Sequence, residues 1–74
     1  MFDTHYEKTL IKTYKSGFKT FLQLKCNLGY LEPRQKELIL SIFDKIVTVK
    51  NIKTVANKSF FENYYIFKKA LPKK

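Results

Sequence analysis

Apolar residues return every three or four positions along most of this chain, the period of an α-helix and not of a strand. The sharpest instance is Phe60, Tyr64, Phe67 and Leu71, whose spacing of i, i+4, i+7 and i+11 forms one stripe of a helix. Upstream, Tyr6, Leu10, Tyr14, Gly17, Phe18 and Phe21 share one arc at about 100° per residue, with Ile11 and Leu22 at its edge. Lys8, Lys12, Lys15 and Lys19 line up beside that arc and read first as a solvated face. Between these segments, Leu38, Ile39, Leu40, Ile42, Phe43, Ile46 and Val47 cover so wide an arc that this helix is expected to be the most buried. The expected fold is all-α: one domain, a small three- to four-helix bundle with Tyr14, Phe18, Leu38, Ile42, Ile46, Phe67 and Leu71 in its core.

Local signals place the boundaries. Thr4 and Glu7 have the spacing of a capping box, as do Ser59 and Glu62. The first helix should end near "CNLGY", where Asn27 or Gly29 takes a left-handed cap. Pro33 suits the first turn of the second helix, where its missing amide costs nothing. The β-branched run Ile46 to Val49 leaves open whether that helix continues or gives way to an extended connection or short strand. A short third helix is expected over Asn51 to Ala56, with Asn57 and Lys58 as the turn and Asn57 a candidate for positive φ. Pro72 should stop the last helix. The division is therefore a long amphipathic helix in 1–29, a helix-turn-helix-like unit in 31–71, and a basic tail in 72–74.

Other residue types narrow the function classes. At 74 residues the chain buries only about 60% of its unfolded surface, and Cys26 alone cannot form an internal disulfide. That cysteine reads as a small core residue of a protein in a reducing, intracellular (cytoplasmic) setting. One histidine, His5, and one cysteine do not make a four-ligand zinc site. The metalloprotease, serine-hydrolase and phosphate-loop motifs are absent, and no spacing pairs the six carboxylates, so the expectation is no enzyme, no catalytic residue, no metal and no cofactor. No apolar run approaches the ~20 residues of a membrane span, and no targeting segment is recognisable.

Charge is uneven. The net charge is +9, and residues 45–74 hold eight basic residues against the single acid Glu62, a local excess of +7. Such asymmetry points to a polyanionic partner met mainly by the C-terminal half. The plainer reading is compositional, since all but one of the basic residues are lysine in a chain rich in Ile, Phe, Tyr and Asn. On the last helix, Phe61 and Tyr65 lie one turn apart beside the core stripe, next to Lys68 and Lys69. Rings with cations stack on bases and neutralise phosphates; they equally compose a protein-binding hot spot, or a second packing face.

Short helix, turn and capped helix together have a helix-turn-helix layout. "LEPRQKELILSIF", Leu31 to Phe43, resembles the helix preceding the recognition unit in region 4 of bacterial sigma factors, a pattern shared by quorum-sensing-type response regulators. The following "VTVKNIKTVANKS" runs ungapped against that family, with Ile52, Val55, Asn57 and Ser59 where Ile, Ile, Gly and Ser usually stand. The resemblance spans about residues 31–71 and implies a DNA-binding unit whose recognition helix begins near Ser59. In this register Lys53 occupies a position normally small, and Lys58 and Asn63 occupy positions normally apolar. A second register, similar to the start of Lac-repressor-type headpieces, aligns Ile52 to Ala56 and would bury Phe61 and Ile66, with Phe60 at the turn glycine.

Two function classes follow. One is a small basic nucleic-acid binder, transcription-regulator-like, contacting DNA, or RNA, through Lys50, Lys53, Lys58, Phe61, Asn63, Tyr65, Lys68 and Lys69. Base readout leans on Arg, Asn and Gln. The last helix offers only Asn63, so weak sequence preference is expected. The other is a protein-interaction module, such as a phage-type small protein that binds and redirects a host enzyme like RNA polymerase. A homodimer is compatible with either.

Overall fold

The computed structural model describes residues 4–71, which form four helices and no strand: α1 (His5–Asn27), α2 (Pro33–Ile46), α3 (Ile52–Ala56) and α4 (Phe60–Lys69). None of these helices is long and apolar enough to cross a membrane. α1 is the long spine, about 34 Å at 1.5 Å per residue. It packs against α2 and α3, and α2 packs against α4. The shape is elongated, 45 × 24 × 17 Å.

The core is largely aromatic. Phe18 stacks on Phe43 with centroids 5.8 Å apart, and the Phe67 ring stands edge-on to both, at 5.7 and 6.0 Å. Leu22, Leu31, Ile39, Leu40, Val47, Ile52 and Tyr64 close the buried cluster. Tyr14, Ile42 and Leu71 pack on it while partly exposed. Two expected core residues are not there: Leu38 and Ile46 are both exposed. The buried arc of α2 runs through Ile39, Leu40, Phe43 and Val47. An arc as wide as the one in the sequence exceeds what α1 and α4 cover, leaving Leu38 on the far flank and Ile46 at the open helix end.

α1 closes with a Schellman motif. Gly29 has φ +84°, its N–H donates to the Cys26 carbonyl at 3.1 Å, and the Tyr30 N–H donates to the Lys25 carbonyl at 3.0 Å. Pro33 occupies the first turn of α2, as expected. α2 stops at Ile46, and Val47 is extended (φ −85°, ψ 121°), which resolves the β-branched run as a connection. Asn51, expected inside the third helix, stands just before it at the N-cap position, and its side chain bonds the preceding connection instead of α3. Its Oδ1 accepts from the Thr48 N–H at 2.8 Å and its Nδ2 donates to the Ile46 carbonyl at 2.7 Å.

Two cap expectations fail. Thr4 makes no side-chain cap bond, and Glu7, instead of reaching back to it, is buried with Oε2 3.5 Å from Lys53 Nζ on α3. Asn57 keeps φ −75°, so the turn into α4 needs no left-handed residue. Ser59 does cap α4, accepting from the Glu62 N–H at 3.1 Å. Pro72 and the basic tail lie outside the described residues.

Candidate nucleic-acid interface

The faces of α4 follow from its sequence. Phe60, Tyr64, Phe67 and Leu71 turn inward, and Phe60 is seated against Gly17 of α1: a Cβ there would lie 2.8 Å from the ring tip. One turn around, Phe61 and Tyr65 are 49% and 52% exposed and pack edge-to-face on each other at 5.0 Å. The spacing argument that set these two rings apart from the core stripe therefore holds. Ile66 is exposed as well.

Asn63 overturns an expectation. It is only 2% exposed and is not available to a base edge. Its Nδ2 donates to the Val55 carbonyl at 3.0 Å and to the Tyr14 hydroxyl, so one amide ties α4 to α3 and α1. A buried amide must be satisfied, and the end of α3 supplies the acceptor. In the sigma-like register this position is normally apolar, so its burial follows the register while its chemistry does not. The exposure of Phe61 and Ile66 counts against the second register, which buries both.

The lysines separate into groups. Lys50 lies in the turn before α3 and Lys58 in the turn after it; both are exposed. The Lys58 carbonyl accepts from the Tyr14 hydroxyl at 3.4 Å. Lys53 is held between the Glu7 carboxylate and the Tyr6 ring, 5.8 Å from its centroid, although its side chain stays mostly in solvent. Lys68 reaches back along α4 to Tyr64, with Nζ 3.5 Å from the hydroxyl and 5.4 Å from the ring centroid. Lys69 is exposed at the end of the helix. On the basic stripe of α1, Lys15 is paired with Asp44 at 2.6 Å, so that stripe is partly neutralised.

The cation nearest Phe61 is one that sequence reasoning missed. Lys25 of α1 lies 5.3 Å from the Phe61 centroid and also faces Phe21, Tyr30 and Tyr64. The i, i+4 spacing of Phe21 and Lys25 was the available signal. The other two elements meet it only in the fold.

Burial pushes the Tyr14 hydroxyl above its ordinary range; the Glu62 charge adds to this and the hydrogen bond from Asn63 opposes it. This hydroxyl belongs to the clip between helices and has no exposed reaction partner. Compared with known families, curated proteins and solved structures, the chain matches none.

Proposed function

We propose that this chain is a small nucleic-acid-binding protein, transcription-regulator-like, whose α3–α4 unit meets the phosphate backbone through Lys50, Lys53, Lys58, Lys68 and Lys69. The observation that carries this reading is charge left uncompensated. Residues 45–71 hold six lysines against Glu62, and among the described residues only Lys53 of these six is paired with a carboxylate. Lysine is a strongly hydrated point charge, suited to neutralising phosphate and poorly suited to bidentate base reading. α4 carries no Arg or Gln, and its one Asn is committed inside the fold. Binding with weak sequence preference is the consequence.

A salt titration tests the reading. Log affinity for a short duplex should fall linearly with log salt, with a slope of about −4 to −5 if five phosphates are neutralised. Replacing Lys58 by Ala should weaken binding to all sequences alike and flatten the slope by about one unit. No binding of DNA or RNA at low salt favours the second reading, a protein-interaction module. Its support is the exposed apolar set Phe61, Tyr65 and Ile66 on the same helix.

A further inference from the structure

Lys25 is surrounded by aromatic rings from three parts of the chain. Its ammonium lies 5.3 Å from the centroid of Phe21 on its own helix and 5.4 Å from that of Tyr30 in the α1–α2 loop. It lies 5.3 and 5.9 Å from those of Phe61 and Tyr64 on α4. The arrangement is built rather than incidental. The Schellman turn at Gly29 folds the chain back, so that the Tyr30 N–H bonds to the carbonyl of Lys25 itself. Phe21 and Tyr64 form the inner wall, edge-to-face at 6.0 Å, and both pack into the core cluster. The outer rings are open: Tyr30 is 68% exposed, and Phe61 continues into Tyr65. Among the described residues no carboxylate pairs with Lys25. The rings orient the charge without neutralising it.

A surface of this kind is complemented by a ligand that brings flat apolar faces and negative charge at the same short repeat. Each nucleotide of a single strand does so, with its base on a ring and its phosphate on the ammonium. A duplex keeps its base faces stacked and offers only edges and phosphates. A second copy of this chain, itself at +9, brings the wrong charge. Building on the nucleic-acid reading above, we propose that Tyr30 and Phe61 beside Lys25, with Tyr65 packed on Phe61, form a stacking platform for unpaired bases, and that the protein prefers single-stranded or locally opened nucleic acid.

The test uses the full chain with two fluorescent probes, an oligo-dT of about 15 nucleotides and a duplex of similar length. The decisive variant is Phe61→Leu with Tyr65→Leu, which keeps apolar bulk and removes the flat faces. Single-strand affinity should fall about tenfold or more, while duplex affinity, set by the lysines, stays within about twofold. Both rings are half exposed, so the thermal midpoint should barely move, which separates loss of stacking from loss of fold. The chain has no Trp and five Tyr, so its own tyrosine emission reports stacking directly. It should be quenched by oligo-dT, and less so in Tyr30→Leu. Unchanged oligo-dT binding by the leucine variant, or equal loss on both probes, overturns the platform while leaving phosphate binding in place. Failure of the parent chain to bind either probe removes the nucleic-acid reading and this inference together.

Discussion

Asn63 and Tyr14 are the two polar side chains on which the joint between α3 and α4 depends. Asn63 spans from α4 to the Val55 carbonyl, which also accepts the Lys58 N–H at 3.1 Å, so two donors converge on one acceptor at the end of α3. Tyr14 receives the other amide hydrogen of Asn63 and turns its own hydroxyl toward the Lys58 carbonyl. The turn that presents Lys58 is thus fixed from inside. The direction of the Tyr14 shift gives a test. Its phenol is held neutral above the ordinary value near 10, mainly by burial. The neutral form is therefore the one the fold favours. The stability it contributes is fully present below the unfolded value and is lost as pH rises through the higher folded one. In a phenolate absorbance titration Tyr14 should ionise late. Tyr14→Phe should remove that late step and lessen the alkaline loss of stability.

At the scale of elements, α4 seats its Phe60 ring on α1 at Gly17. A residue without a side chain in the middle of a long helix costs about 1 kcal/mol relative to Ala. Here it makes room for Phe60, whose ring is in turn confined by Tyr14, Phe18 and Phe21 at centroid distances of 4.9, 6.0 and 5.9 Å. The ring can make room for a new methyl group at 2.8 Å only by giving up its contacts with these three rings. Gly17→Ala should therefore destabilise the protein, by about 1–3 kcal/mol as overpacking does, instead of giving the usual gain in helix propensity. The sign should reverse when the obstacle is removed. In a Phe60→Ala background the same Gly17→Ala change should stabilise by up to about 1 kcal/mol. Urea unfolding of the four proteins of this cycle measures both signs. If Gly17→Ala stabilises the parent chain, the seating of the Phe60 ring on Gly17 is wrong.

For the molecule as a whole, what could be read from the sequence was what is encoded locally. Helix periodicity located α1, α2 and α4, and Gly29, Pro33 and Ser59 marked ends because each acts on its own backbone. What escaped depends on which element lies opposite. Nothing near Glu7 in sequence says that Lys53 will face it, nothing near Asn63 supplies the Val55 carbonyl, and the rings around Lys25 come from three separate elements. Leu38 and Ile46 were misplaced for the same reason, since an arc of apolar residues does not say how much of it a small bundle can cover. The stripe of Phe60, Tyr64, Phe67 and Leu71 needed no such knowledge, and Phe67 at its centre is buried edge-on between Phe18 of α1 and Phe43 of α2. It joins three helices in a chain whose total stability should be roughly 4–11 kcal/mol at this length. Phe67→Ala should cost about 3–5 kcal/mol, because the surrounding rings cannot collapse into the space without giving up their own edge and face contacts. That removes most of the stability at the lower end of this range and a substantial share of it at the upper end. Far-ultraviolet circular dichroism should show a weaker helical signal on warming and a thermal midpoint lowered by more than about 10 °C. Phe61→Ala with Tyr65→Ala, on the outer face of the same helix, should leave both nearly unchanged. A thermal midpoint in Phe67→Ala within a few degrees of the parent's would mean that this ring does not hold the three helices together.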